Sequence, residues 1–228
     1  MSANSPDELK RLYEERFGPA LEYRRAVWRV LIDHFFQRFI SPEATVLDLG
    51  CGYGEFINQI RCGKRYAMDL NPDAPRRLNA DVKCLLQDCA ADWPLPDASL
   101  DVVFTSNFFE HLPDKRALEA TVTQARRCLK PGGKLIAMGP NIGCLPGKYW
   151  DFWDHHLPLT EKSLVELLRS RDYEVKDCHA RFLPYSMAGQ RRYPMWMLKC
   201  YLKAPLAWRF FGRQFLVVAV RPDEPRAT

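Results

Sequence analysis

The sequence predicts an α/β fold with a doubly wound sheet, on two observations. Short apolar runs alternate along the chain with segments of helical periodicity, which is typical of βαβ units. The apolar run at residues 46–49 passes directly into a glycine-rich loop, as the first strand of a nucleotide-binding α/β domain does. At 228 residues, 47% of them apolar, the chain can form one well-buried domain.

Composition indicates the compartment. The sequence contains no run of eighteen apolar residues, and its first residues are charged where a signal peptide would be apolar. The eight cysteines are scattered, without a C-x-x-C pair or zinc-type spacing, which favours reduced thiols. We therefore expect a soluble, cytoplasmic protein.

Two helices are predicted before the first strand. Ser5-Pro6-Asp7-Glu8 is a helix start signal, and Gly18-Pro19 interrupts the helical pattern. A second helix, roughly Leu21 to Phe39, carries apolar residues at helical spacing and must pack on the core. Ser41-Pro42 ends it before the first strand.

The glycine-rich loop contains the first candidate binding residues. Gly50, Gly52 and Gly54 alternate after Asp48, with Cys51 between the first two. Glycine lets backbone N–H groups approach a ligand closely, so the loop suits a nucleotide-like molecule. An ordinary glycine-rich turn is the alternative. The dinucleotide fingerprint G-x-G-x-x-G does not fit, because Glu55 holds its sixth position.

The pattern D-x-G-x-G-x-G resembles the first motif of class I S-adenosylmethionine (SAM) dependent methyltransferases. The resemblance extends from Val46 to Gly139 and includes the link Leu-Lys-Pro-Gly-Gly before the fifth strand. It implies a Rossmann-like seven-stranded sheet with an antiparallel strand 7, SAM as cofactor and methyl transfer as the activity. It also implies that the leader helices cover the cofactor entrance and that Asp48 fixes the loop and the SAM amino group.

Acidic residues after the next two strands complete the candidate cofactor site. Asp69 and Leu70 end the second strand, and a carboxylate there can accept hydrogen bonds from both ribose hydroxyls. By resemblance, Asp88 after strand three accepts from the adenine amino group, and the N–H of Cys89 reaches a ring nitrogen. A turn or N-cap role for Asp69 and a solvated loop role for Asp88 are the alternatives.

The segment after strand four would face the transferred methyl group. Asn107, a candidate cofactor contact, begins the pattern N-x-x-E-H-L, which resembles small-molecule methyltransferases. His111 could be a general base for a hydroxyl acceptor. A structural role for His111 under the next helix is equally open. The [ND]-P-P-[FY] and Pro-Cys signatures of enzymes that methylate adenine or cytosine are absent from the sequence, which argues against nucleic acid.

Residues 140–160 form a predicted loop too long for a simple connector. It supplies the candidate acceptor-site residues, which are Tyr149, Trp150, Trp153, His155 and His156. Either His155 or His156 could remove the acceptor proton in place of His111, so all three histidines are candidate catalytic residues. Packing over the core would also explain the aromatic residues. A metal site using Asp151, Asp154 and the two histidines is a further alternative, but adjacent residues tend to point apart, and we predict no metal.

The C-terminal part is basic and aromatic. After a helix from Thr160 to about Ser170 and strand six (Tyr173 to Ala180), an insertion at 181–213 precedes strand seven, Gln214 to Val220. From Cys178 to Pro222 there are eight Lys or Arg and no Asp or Glu. Contact with an anionic membrane, contact with nucleic acid or a phosphorylated carrier, and an amphipathic lid all fit.

We therefore expect one methyltransferase domain. Its parts are a helical cap (1–40), a SAM-binding core (41–180), the insertion (181–213) and a final strand (214–222). The expected acceptor is a hydroxyl, or less favourably an amine, of a small molecule, sugar or lipid-linked glycan, with membrane contact at the inner face as a partner interaction. RNA methylation and a non-catalytic SAM-binding scaffold are the alternatives, and the sequence does not indicate an oligomeric state.

Overall fold

Seven strands form a single sheet in the computed structural model, which describes residues 21–185 and 192–223. The strands are β1 (Thr45–Leu49), β2 (Lys64–Asp69), β3 (Val82–Leu86), β4 (Leu100–Ser106), β5 (Leu129–Pro140), β6 (Glu174–His179) and β7 (Gln214–Val220). Their order is β3-β2-β1-β4-β5-β7-β6. The first five pair in parallel, whereas β7 is antiparallel to both β5 and β6. The predicted fold class is confirmed.

One described helix precedes β1, and the others lie between successive strands. They are α1 (Leu21–His34), α2 (Ala74–Arg77), α3 (Lys115–Cys128), α4 (Glu161–Ser170), α5 (Met195–Leu202) and α6 (Pro205–Phe211). Short polar residues set the starts of α3 and α4. Asp114 accepts from the Ala117 N–H, and Thr160 forms a capping box with Ser163. Among the residues described, no helix is long and apolar enough to cross a membrane.

Alternation along the strands gives the sheet an apolar layer on each face. On β1, Val46 packs with α1 in one layer and Leu47 packs with α3 and α4 in the other. Trp28 of α1 lies 6.0 Å from the ring of Phe56 and 5.9 Å from that of Phe104. This packing holds α1 against the segment that follows the glycine loop.

Four segments differ from the sequence-based expectation or fall outside what is described. The predicted helix at 55–61 is a series of turns with two helix-type bonds, from Asn58 N to Gly54 O and from Ile60 N to Phe56 O. The second leader helix ends at His34 and continues as a 3₁₀ turn, Phe36–Phe39. The Leu-Lys-Pro-Gly-Gly link belongs to β5 itself. The start signal at Ser5 lies outside the described residues.

Candidate functional site

The candidate site lies where β1 and β4 meet at the centre of the sheet. From β1 the chain proceeds outward through β2 and β3, then returns to β4 on the other side. The connections after these two strands therefore diverge and leave a crevice at their carboxyl ends. The glycine loop follows β1 and the Asn107–His111 segment follows β4, so both border this crevice.

All three loop glycines have left-handed backbone conformations. Their φ angles are +70° at Gly50, +53° at Gly52 and +73° at Gly54. A Cβ at Gly50 would lie 2.2 Å from Cγ of Phe108, the second residue after β4. Glycine at position 50 is therefore required both by backbone conformation and by the close approach of Phe108.

Three carboxylates surround the glycine loop, of which Asp48 and Glu55 are buried and Asp69 is half-buried. Burial raises the pKa of Asp48 well above its usual range, and the charges of Glu55 and Asp69 raise it further, although the Ile57 N–H donates to this carboxylate. Glu55 pairs with Arg24 of α1, with Nε 2.7 Å from Oε1. The excess of buried negative charge favours a cationic ligand, and SAM contains a sulfonium and an ammonium group.

Asp69 links the end of β2 to the glycine loop. Its Oδ2 accepts from the Gly52 N–H at 2.7 Å, and its Oδ1 accepts from the Asn71 N–H at 2.8 Å. Burial raises the pKa of Asp69, while these backbone bonds and the charge of His111 act in the opposite direction. Asp69 thus stabilises the turn after β2, which is the alternative role given in the sequence analysis. Each carboxylate oxygen has a further lone pair, so Asp69 can still accept a hydrogen bond from a ribose hydroxyl.

The ends of β2 and β3 present apolar and acidic groups together. Leu70 is 45% exposed and Leu86 52% exposed. Asp88 is also exposed, and its Oδ1 accepts from the Ala90 N–H, whereas Cys89 is buried with its thiol near the Thr121 hydroxyl. An adenine ring would cover the leucines and meet the Asp88 carboxylate, so this region fits the nucleoside of SAM.

Among the described residues, the buried polar atoms that lack a hydrogen-bond partner include one at the end of β2 and one at the end of β4. These two are Nδ2 of Asn71, just after β2, and Oγ1 of Thr105, near the end of β4. Buried polar atoms are normally satisfied, so their position at the carboxyl ends of β2 and β4 is consistent with a polar ligand. With the glycine loop and the carboxylates, they support the fit of SAM to these residues.

Asn107 begins the segment that follows β4 in a strained conformation. Its φ is +50°, its N–H donates to the Met138 carbonyl at 2.8 Å, and its amide donates to the Ser106 hydroxyl. A positive φ at a non-glycine residue is uncommon and concentrates at functional sites. The turn directs the chain towards Phe108 and His111.

His111 is held by Asp154 of the 140–160 loop. Its Nδ1 lies 2.9 Å from the Asp154 carbonyl oxygen and 3.3 Å from Oδ2. Both neighbours are acceptors, so Nδ1 carries the hydrogen and Nε2 carries the lone pair. Burial lowers the pKa of His111, but the hydrogen bond to Asp154 and the charges of Glu110 and Asp154 outweigh it, so the pKa is raised overall.

Further contacts fix the 140–160 loop against the turn that contains His111. The carbonyl of Glu110 accepts from the N–H groups of His156 and Leu157, at 2.8 and 3.0 Å. His155 is buried, and its Nδ1 donates to the Tyr149 carbonyl at 2.7 Å. Tyr149 is fully buried and donates its hydroxyl hydrogen to the Leu157 carbonyl. Since these bonds join the two segments, the loop is a fixed wall of the crevice.

The structure separates the predicted acceptor-site residues into two groups. His155 and Tyr149 lie inside the loop, whereas Trp150, Trp153 and His156 are exposed. Their assignment as acceptor contacts stays a prediction. His111 and His155 come together, with ring centroids 5.0 Å apart.

Glu110 was not singled out from the sequence, although it precedes His111. It is buried, and burial raises the pKa of its carboxyl to about 7. Ligand atoms of Glu110, His111 and His155 lie within 4.8 Å of one another, so this set could hold a cation. Arg24, Phe108 and Leu86 were also missed, because their roles depend on contacts between distant parts of the chain.

The fold and this crevice define a nucleotide-binding α/β enzyme of the doubly wound class. The chain belongs to the methyltransferase domain family, whose model matches residues 20–177. A relative from Mycolicibacterium smegmatis, named as a probable S-adenosylmethionine-dependent methyltransferase, is 30% identical over 75% of this chain and 73% of its own. Malonyl-[acyl-carrier protein] O-methyltransferase of Serratia marcescens is 35% identical over 53% of this chain and 51% of its own.

Solved structures share the fold. A SAM-dependent methyltransferase from Archaeoglobus fulgidus superposes with a TM-score of 0.64 at 18% identity, covering 90% of this chain and 98% of that one. The protein is thus a SAM-dependent methyltransferase with SAM as its methyl donor. The resemblance based on the glycine-loop motif is confirmed.

Proposed function

We propose that the protein transfers the methyl group of SAM to a hydroxyl oxygen of a small molecule, a sugar or a lipid-linked glycan, with His111 as general base. The observation that carries the proposal is the pairing of His111 with Asp154 beside the crevice. The Serratia relative is named for O-methylation, which supports oxygen as the acceptor atom. The lipid-linked case would bring the protein to the inner face of the membrane.

We assign the cofactor contacts to the crevice residues described above. Gly50, Cys51, Gly52 and Gly54 would contact the methionine part through their backbone, and Asp48 holds the loop through Ile57. Asp69 would accept from the ribose hydroxyls, while Leu70, Asp88 and Cys89 would meet the adenine. Bound SAM supplies an electrophilic methyl group on a sulfonium.

His111 would accept the proton of the acceptor hydroxyl at Nε2. Asp154 fixes the tautomer by accepting from Nδ1 and stabilises the positive charge that forms on the ring. Asn107 lies at the same end of β4 and would contact the cofactor. The exposed rings of Trp150 and Trp153 would form an apolar wall for it.

A labelled-methyl assay tests the acceptor class. The purified chain is incubated with tritiated-methyl SAM and separate lipid, small-metabolite, RNA and protein fractions of a cell extract. We expect label in the lipid or metabolite fraction. Label confined to RNA would favour the RNA methyltransferase alternative, and tight SAM binding without label in any fraction would favour the non-catalytic scaffold.

Replacing Asp69 by Asn is expected to weaken SAM binding at least tenfold, about 1.4 kcal/mol, because a charged acceptor for the ribose hydroxyls is lost. Isothermal titration calorimetry measures the change. The matched control is Asp33→Asn, at an exposed residue paired with Arg61 on the surface. An unchanged dissociation constant for Asp69→Asn would refute the ribose assignment.

The activity should depend on pH through His111. Since the base must be neutral and its pKa is raised, kcat should fall as pH decreases through a value above the ordinary histidine pKa of about 6.5. Asp154→Asn removes the charge that raises this pKa, so the acid limb should move to lower pH. A pH profile of kcat for both proteins measures the shift. Coincident acid limbs would contradict the pairing.

A further inference from the structure

Exposed apolar side chains concentrate on two consecutive helices. Among the described residues, ten large apolar side chains are exposed, and six of them lie between residues 193 and 211. Four of these six are between 64% and 67% exposed, namely Trp196 on α5 and Leu206, Phe210 and Phe211 on α6. Together with the exposed cations Lys199, Lys203 and Arg209, we call them the docking face.

The sides of α5 and α6 that face away from the docking face pack against the rest of the protein. Leu202 of α5 and Trp208 of α6 are buried in the layer that contains α1. Trp208 also donates its Nε1 hydrogen to the Tyr201 carbonyl at 2.8 Å, which joins α6 to α5. On α6, Leu206 and Phe210 are four residues apart and lie on the side away from Trp208. The exposed side chains of α5 and α6 therefore lie on helices that are themselves packed against the protein.

The charged side chains of the docking face and its surrounding sequence are all positive. Lys199 of α5 and Lys203, the residue that follows this helix, are four residues apart, and Lys199 is three residues from Trp196. The stretch from Cys178 to Pro222 has no acidic residue. Exposed tryptophan, phenylalanine and leucine beside lysine and arginine are the composition of a helix that lies in a membrane interface.

We propose that the docking face binds the surface of an anionic lipid membrane, with the apolar side chains inserted among the acyl chains and the cations at the lipid phosphates. At 8 and 7 residues, α5 and α6 are far shorter than the roughly 20 residues needed to span a bilayer, so they lie along its surface. A nucleic acid would meet the three cations but would leave the aliphatic side chains exposed.

The docking face is connected to the cofactor crevice. At the start of α5, the N–H of Tyr193 donates to the Tyr23 hydroxyl of α1 at 2.9 Å. The next residue of α1, Arg24, pairs with Glu55 of the glycine loop. Membrane binding would hold α1, which contacts both α5 and the glycine loop, close to the lipid surface. The link between membrane binding and catalysis rests on the proposed function, because it assumes a lipid-linked acceptor that enters the crevice from the membrane.

Vesicle co-sedimentation of the 228-residue chain tests the proposal. The probes are vesicles of phosphatidylcholine alone and of phosphatidylcholine with phosphatidylglycerol. We expect binding to the second kind that weakens as salt is added, and weaker binding to the first. Lys199→Ala with Lys203→Ala should lower the partition coefficient roughly 30-fold, and Leu206→Ser with Phe210→Ser at least tenfold.

The matched control is Lys115→Ala with Lys162→Ala, which removes two exposed lysines from other helices and should leave vesicle binding unchanged. SAM calorimetry on every variant separates the two proposals, because both docking-face variants should retain SAM affinity. An absence of vesicle binding with intact SAM binding would overturn the docking proposal alone. Dimerisation through the docking face would also overturn the docking proposal. So would RNA binding that the same lysine substitutions abolish, if the chain binds no vesicles.

Discussion

Replacing His111 by Gln is expected to lower kcat by roughly 10²–10⁴-fold while leaving the SAM dissociation constant within a factor of about two. Glutamine cannot accept the proton of a hydroxyl at neutral pH, whereas Nε2 of His111 can. SAM affinity should persist, because the carboxylates and glycines of the crevice lie on other segments. Steady-state kinetics with the acceptor identified by the labelled-methyl assay, together with SAM calorimetry, measure the two effects.

Two controls distinguish base catalysis from other roles of this histidine. His34→Gln alters an exposed histidine at the end of α1 and should leave kcat unchanged. Activity should also persist in EDTA. Loss of activity in EDTA that a divalent cation restores would instead assign Glu110, His111 and His155 to a metal site. Unchanged kcat for His111→Gln would contradict the general-base role.

Replacing Gly50 by Ala is expected to weaken SAM binding by at least about 100-fold. An L-residue at φ +70° costs roughly 1–2 kcal/mol, and the new methyl carbon would lie 2.2 Å from Cγ of Phe108. Phe108 must therefore move, and the loop that contacts the methionine part would move with it. Calorimetry measures the affinity, and thermal unfolding should show a decrease in Tm of roughly 4 °C or more.

Gly147→Ala is the matched control for this substitution. Within the described part of the chain, and apart from the two neighbouring residues, no atom lies within 4 Å of a Cβ built at Gly147. The residue is not in the left-handed region, so Tm and SAM affinity should not change. If Gly50→Ala binds SAM like the parent chain, the close approach of Phe108 does not determine the shape of the crevice.

Local sequence signals predicted the sheet well. Strand β7 was predicted at Gln214 to Val220 and is found there, because an apolar run in the sheet interior has few competing conformations. The segment at 55–61 was predicted as a helix but forms turns, since Asp48, Phe104 and Arg24 hold its residues individually. Tertiary contacts there determine the backbone more than helical propensity does.

The sequence indicated the residue types of the candidate site but not their pairing. Asp154 and His111 are 43 residues apart, and their contact depends on how the 140–160 loop folds back on the end of β4. Tyr149 was predicted to contact the acceptor because it lies in an aromatic-rich loop. In the structure its hydroxyl donates a hydrogen bond to the Leu157 carbonyl within that loop. Long-range contacts of this kind leave no periodicity in the sequence.

The most direct test of the account is the atom that receives the methyl group. The chain is incubated with SAM labelled with ¹³C in the methyl group and with the active extract fraction, and the product is analysed by NMR. The account predicts one new O-methyl resonance, which is lost with His111→Gln. A resonance from a nitrogen- or carbon-bound methyl, or an O-methyl signal that persists in the His111 variant, would contradict it.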